Sequence, residues 1–179
     1  MPHLDRQRTR LQDFDYSSDG AYFITICVQD RQQVFGKIVN DEMILNESGR
    51  IAEKCWQDIP AHFPDAKIDE FVVMPNHVHG IIQIEKSHYN QHVGNRHAYS
   101  LPRNTQLIPN IIGSFKSSVM RIIRKQIPSV DFRWQSSFHD RIIRDEKEMN
   151  AYQEYIRNNP LNWAVDRENA LTLQSTHSL

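Results

Sequence analysis

Lys67-Ile-Asp-Glu-Phe-Val-Val73-Met-Pro-Asn-His77-Val-His79-Gly-Ile-Ile-Gln-Ile84 consists of two apolar, β-branched runs parted by Met74-Pro75-Asn76. Short runs of this composition, bounded by Pro and Asn, read as two neighbouring strands over residues 67–73 and 77–84. A connection this brief favours antiparallel pairing. Upstream, residues 22–28 (Tyr-Phe-Ile-Thr-Ile-Cys-Val) form a further buried strand, and residues 35–39 and 43–45 flank Asn40-Asp41-Glu42 as a hairpin. Asn46-Glu-Ser-Gly-Arg50 opens a helix with Ile51, Cys55, Trp56 and Ile59 at helical spacing, expected to end near Pro60 or Pro64. Downstream, residues 86–107 lack periodicity and read as a long loop. A helix follows over residues 110–126, with Ile111, Ile112, Phe115, Val119, Ile122 and Ile123 on its apolar face. A strand over 138–143 and a helix from Asp145 through Tyr155 to Asn158 or Asn159, before Pro160, complete the pattern. Strands and helices mix without regular β-α alternation, which predicts an α+β fold: a mostly antiparallel sheet with helices on one face.

The chain has 179 residues, of which 39% are hydrophobic and 24% charged, which suits one globular domain and argues against a disordered chain. No apolar run approaches the roughly 20 residues of a spanning helix, and Met1-Pro2-His3-Leu4-Asp5-Arg6 lacks the apolar centre of a signal peptide, so a cytoplasmic protein with no membrane partner is expected. Cys27 and Cys55 are too few for a disulfide framework or zinc ribbon and read as reduced core residues. The formal net charge is −1, but between positions 96 and 144 nine Lys or Arg residues face two acids, 9 − 2 = +7. That stretch reads either as a basic surface or as solvated helix faces.

On a strand, residues two apart share a face, so His77 and His79 project together. That pair reads as two ligands of one metal ion or as a satisfied pair on the sheet. As ligands, two imidazoles leave a metal under-coordinated and require a third donor from elsewhere. In Tyr152-Gln-Glu-Tyr155-Ile-Arg-Asn158-Asn159-Pro160, Tyr155 and Asn159 are one helical turn apart, so a phenol and an amide oxygen can be delivered together. Core packing of the tyrosine and capping by the asparagine is the alternative, Tyr152 is a competing phenol, and Glu154 is a carboxylate rotated off the Tyr155 face.

Taken together, Val73-Met-Pro-Asn-His77-Val-His79-Gly, Phe138-His-Asp-Arg-Ile-Ile-Arg144 and Tyr155-Ile-Arg-Asn-Asn-Pro160 resemble the single-tyrosine HUH transposases, and most narrowly the REP-associated tyrosine transposases, which act on repetitive extragenic palindromes. Tyr16-Ser-Ser-Asp-Gly-Ala-Tyr-Phe-Ile-Thr25 and Gly113-Ser-Phe-Lys-Ser117 extend the similarity to about residues 14–165. The resemblance implies a ferredoxin-like domain of the HUH endonuclease type with the histidines on a central strand. It implies His77 and His79 as the metal pair, Asn159 as a third polar ligand and Tyr155 as the catalytic tyrosine. On this basis residues 1–15 are a basic arm, 16–165 the transposase domain with a variable loop at 86–107, and 166–179 a polar tail. The implied activity is cleavage and rejoining of single-stranded or hairpin DNA with Mg2+ or Mn2+, through a 5′-phosphotyrosine that a later 3′-hydroxyl attack reseals. Lys116, Arg121, Arg124, Arg133, Arg141 and Arg144 are candidates for DNA-backbone contacts, with Lys125 beside them, and Trp134, Phe138 and Tyr99 for stacking on unpaired bases. A non-catalytic hairpin-binding descendant and a metal-dependent hydrolase using water are the competing functions. Both monomer and homodimer are compatible with an active site drawn from a central strand and a C-terminal helix.

Overall fold

The computed structural model describes residues 19–85 and 107–165. The N-terminal arm, nearly all of the 86–107 loop, Tyr99 and the polar tail lie outside the described residues. Strand β1 (Gly20–Cys27) leads through a tight turn to the hairpin β2 (Gly36–Val39) and β3 (Glu42–Leu45). Then come α1 (Glu47–Gln57), α2 (Ile59–His62), β4 (Ala66–Val73), β5 (His77–Ile84), α3 (Leu107–Gln126), β6 (His139–Ile143) and α4 (Glu146–Arg157). The main sheet has the order β4-β5-β1-β6, with every neighbouring pair antiparallel. With the hairpin set aside, the chain runs β-α-β-β-α-β with β1 and β4 parallel on either side of β5, the ferredoxin-like arrangement.

The local chemistry explains most of these elements. Asn40 and Asp41 both take left-handed backbone angles (φ 50° and 61°), the geometry of a two-residue turn that matches strand twist. Asn46 caps α1 by accepting from the Gly49 N–H at 2.9 Å. Asp145 accepts from the Glu148 N–H while Glu148 accepts from the Arg144 N–H, a reciprocal cap that starts α4. Both expected ends leave a mark: α1 stops at Asp58, and the short α2, with Pro60 in its first turn where the missing N–H costs nothing, ends before Pro64. Within the described residues α3 runs from Leu107, upstream of the expected start at residue 110, and includes Pro109.

The alternation along β1 divides the core. Tyr22, Ile24 and Ile26 join Val78, Ile82 and the apolar faces of α1 and α3 in the larger cluster. Phe23 and Ala21, with Ile81 and Val72, meet Ile143 and the Met149, Tyr152 and Ile156 side chains of α4 on the opposite face. So the two longer crossover helices share the one expected face, and α4 adds a thinner layer on the other because the odd positions of β1 are apolar too. Gly80 lets the first layer close tightly: a Cβ there would lie 2.3 Å from Trp56 Cζ2 and 2.9 Å from Phe71 Cβ.

A bulge in β4 between Ile68 and Phe71 breaks the pairing with β5 and directs two acids at α4. Gln153 Nε2 donates to Asp69 Oδ1 at 2.8 Å, and Arg157 Nη1 donates to Glu70 Oε1 at 2.8 Å. These contacts set the position of the helix that carries Tyr155. Cys27 is buried and Cys55 half-buried, and neither is in a disulfide. Among the described residues no helix is long and apolar enough to cross a membrane.

Candidate active site

His77 and His79 lie on the α4 side of β5, both buried, with ring centroids 4.4 Å apart. Their side chains share a face because the strand alternates, and β1 supplies the wall beside them: Cys27 is opposite His77 and Thr25 opposite His79. Each ring is oriented through Nδ1. His77 Nδ1 is 2.8 Å from Asn76 Oδ1, and the orientation of that amide follows from Asn76 Nδ2 donating to the Arg31 carbonyl at 3.3 Å. An amide oxygen only accepts, so Nδ1 of His77 carries the proton and the lone pair is on Nε2. His79 Nδ1 is 2.8 Å from Thr25 Oγ1, a hydroxyl that both donates and accepts, so this contact orients the ring in either tautomer.

Burial holds both imidazoles neutral. Desolvation pushes the His79 pKa down to about 3. For His77, desolvation comes first and the charges of His79 and Arg31 add to it, so its pKa is well below the ordinary value, with Asn159 partly offsetting the shift. Neutral imidazoles with lone pairs on Nε2 are the form in which histidine binds a metal ion.

The end of α4 closes over this pair. Tyr155, 44% exposed, places its hydroxyl 3.5 Å from His79 Nε2, a loose contact, while its ring meets His79 and Phe23 edge-on. Tyr152 is occupied differently: its ring stacks on Phe23 at 4.5 Å, within the apolar layer under α4. Of the two phenols, then, Tyr155 is the one beside the histidines. Asn159 follows the last turn, is 2% exposed and stands against His77, yet its Oδ1 is buried and makes no hydrogen bond among the described residues. Such an oxygen costs roughly 1–3 kcal/mol unless something fills its coordination. Two imidazole nitrogens and an orphaned carbonyl oxygen form a donor set that fits a divalent cation of the Mg2+ or Mn2+ kind, imidazole favouring the latter. No group of three or more His, Cys, Asp or Glu among the described residues is arranged to hold a metal, so a set built here depends on the amide.

The basic candidates do not form one surface with this site. Arg141 shares the face of Phe23, its cross-strand partner, and is exposed. Arg121 and Arg124 are exposed on α3, across the sheet, as is Lys125. Lys116 Nζ donates to the carbonyls of Gln135 and Ser137, both at 2.9 Å, and so ties the segment before β6 to α3. Arg133 is exposed next to Phe132, and Arg144 sits in the cap of α4. Trp134 and Phe138 are buried in the large core rather than offered for stacking. Glu154 is exposed on α4.

Four residues at the site are not visible in local sequence patterns. Asn76 and Thr25 orient the rings, Trp163 stacks on His77 (6.2 Å, 27°), and Arg31 approaches from the turn after β1. Met74-Pro75-Asn76 is a turn signal, which masks the second task of its asparagine, and Thr25 is linked to His79 only through strand register.

No protein-family model matches the chain. An uncharacterized protein of Haemophilus influenzae is 42% identical over 167 residues, covering 90% of this chain and 92% of that protein. A second protein of that organism, named "Putative REP-associated tyrosine transposase", is 25% identical over 147 residues, covering 82% of this chain and 73% of its own length. Among solved structures, a REP-associated tyrosine transposase bound to a REP hairpin has a similar fold, with a TM-score of 0.56 at 17% identity over 86% of this chain and 74% of that one.

Proposed function

We infer, for a chain that belongs to one family with its 42%-identical Haemophilus relative and is most like the REP-associated tyrosine transposases, that it cleaves and rejoins single-stranded or hairpin DNA. The observation that carries this reading is the meeting of Tyr155 with a neutral histidine pair oriented by Asn76 and Thr25, beside the unsatisfied Asn159 oxygen. A transposase-related function follows from fold and similarity; the chemistry that follows is our proposal.

Phosphodiester cleavage needs a nucleophile in line with the leaving oxygen and stabilisation of charge on the phosphate. The Tyr155 oxygen attacks the phosphorus, the bond to the 3′-oxygen breaks, and a 5′-phosphotyrosine and a 3′-hydroxyl result. The phenol proton leaves to solvent and the departing oxygen takes one up. A 3′-hydroxyl attacking the same phosphorus reverses these bonds, so rejoining needs no external energy source. His77, His79 and Asn159 would hold a divalent cation, Mg2+ or Mn2+, which supplies charge stabilisation at the phosphate. Asn76 and Thr25 hold the rings so that Nε2 of each faces inward. Tyr155 stands on the exposed rim, where a strand of DNA can reach it, whereas Tyr152 is committed to Phe23.

Incubation of the protein with labelled hairpin oligonucleotides and Mn2+, followed by denaturing electrophoresis, tests this. A denaturant-resistant adduct that is lost in Tyr155→Phe and His77→Ala and kept in Tyr152→Phe supports the reading. Hairpin binding without an adduct in the wild type refutes the chemistry and leaves a DNA-binding module. Cleavage that survives in Tyr155→Phe points to water as nucleophile.

A further inference from the structure

The turn after β1 has the most constrained backbone near the site. Asp30 and Arg31 are consecutive non-glycine residues in the left-handed region, with φ 56° and 54°. Strain of this kind persists where the surroundings fix it, and it concentrates at functional positions. Two contacts fix it here. The Arg31 carbonyl accepts from Asn76 Nδ2, so the turn supports the amide that orients His77. The Arg31 guanidinium donates through Nη1 to Cys27 Sγ at 3.1 Å, and Cys27 lies directly opposite His77 in the strand register. The turn therefore carries a permanent cation onto the His77 end of the site, where its charge reaches the imidazole.

A guanidinium is an awkward neighbour for a metal site whose protein donors are two neutral imidazoles and an amide. Those donors bring no negative charge, and among the described residues no carboxylate joins them. Metal and guanidinium repel each other at short range unless an anion meets both. The anion that the reaction brings is a phosphodiester, and guanidinium geometry matches phosphate oxygens.

We propose that Arg31 is the phosphate-binding arm of this site: its guanidinium takes a non-bridging oxygen of the scissile phosphate, which makes DNA and metal bind interdependently. The inference rests on the function proposed above and adds a residue, a substrate group and an order of dependence to it. A merely structural Arg31, sealing the strand end over Cys27, would contribute to folding and leave metal affinity indifferent to DNA.

Arg31→Gln keeps a donor for Cys27 without the charge, and Arg31→Lys keeps the charge without the planar fork. Mn2+ affinity of the full chain is read from the free-ion electron paramagnetic resonance signal, with and without a short single-stranded oligonucleotide, after circular dichroism has verified that each variant is folded. In the wild type the oligonucleotide raises Mn2+ affinity about tenfold, a coupling of ordinary size. In Arg31→Gln, Mn2+ alone binds roughly threefold tighter because the repulsion is gone, the coupling falls to about twofold or less, and adduct formation slows on the order of 100-fold. Arg31→Lys recovers part of the coupling. The proposal is overturned if Arg31→Gln keeps the full coupling or binds Mn2+ more weakly than wild type in the absence of DNA. Failure of the wild type to bind Mn2+ at all overturns the metal reading and this inference together, whereas an intact wild-type adduct with unchanged coupling in Arg31→Gln overturns the inference alone.

Discussion

Two buried imidazoles held neutral should make this protein acid-sensitive in a defined window. In the folded chain His79 titrates only near pH 3, and His77 well below its ordinary value. The unfolded chain takes up a proton on each as pH falls through about 6.5. Because the folded pKa values are depressed, the stability these groups contribute is present above pH 6.5 and is lost as pH falls toward the folded values. His79 alone removes about 2 kcal/mol between neutrality and pH 5, and His77, shifted in the same direction, adds to that loss. Against a total of roughly 5–15 kcal/mol for a domain, that loss is large and precedes most carboxylate protonation. Urea unfolding followed by tryptophan fluorescence at pH 7, 6, 5.5 and 5 measures it, on wild type and on the double variant His77→Gln/His79→Gln. The wild-type midpoint should fall steeply and that of the variant should stay nearly level. Parallel declines in the two proteins would refute the claim that these rings are held neutral by the fold. The same neutrality has a consequence for metal: binding displaces almost no protons from the histidines, so Mn2+ affinity should be nearly constant from pH 8 to 6.

Thr25→Val removes the hydroxyl 2.8 Å from His79 Nδ1 and should weaken Mn2+ affinity about tenfold, by calorimetric titration, with a stability change near 1 kcal/mol. Asn159→Ala deletes a buried oxygen that has no hydrogen-bond partner among the described residues. Without metal it should therefore leave stability within about 1 kcal/mol. It should also abolish the thermal stabilisation that Mn2+ confers on the wild type, about 3 kcal/mol at a hundredfold excess over Kd; a scan of melting temperature against Mn2+ reads both. Gly80→Ala forces a Cβ to within 2.3 Å of the Trp56 ring and should cost about 3 kcal/mol, a fall in Tm of roughly 6–12 °C by calorimetry.

Periodicity carries the sheet and its helices because the central strands β1 and β5 are largely apolar and the turns use residues suited to them. Residues 67–84 disclose a strand pair, and Asn40-Asp41 a hairpin, without any tertiary information. The ring-orienting residues are a different matter. Thr25 meets His79 across 54 positions of sequence, and that meeting is a property of β1–β5 register that no local window contains. The choice between Tyr152 and Tyr155 likewise depends on how α4 crosses the sheet. That crossing is set by Asp69 and Glu70 at a bulge, and the bulge leaves no mark in the alternation of β4. Arg31 is hidden for another reason: Gln29-Asp-Arg31 reads as an ordinary polar turn, and only its backbone angles show that it is held under strain.

The distribution of buried polar groups carries the argument for a site further than any single motif does. Six polar or charged residues are buried among those described: Thr25, Ser48, Asn76, His77, His79 and Asn159. Ser48 belongs to the first turn of α1, and the other five join in one chain of contacts at one end of an otherwise apolar sheet. Burying a polar group is unfavourable unless it is paired, and pairing only recovers the cost. A core of Ile, Val and Trp would fill the same space with more stability, so packing does not account for five such groups in contact. Hydrogen bonding accounts for Asn76 and Thr25, which hold the rings, but not for Asn159, whose buried oxygen stands against His77, next to the His79 ring that the Tyr155 hydroxyl approaches. What the fold alone leaves unexplained is the set of donors that a cation would use, the Asn159 oxygen among them.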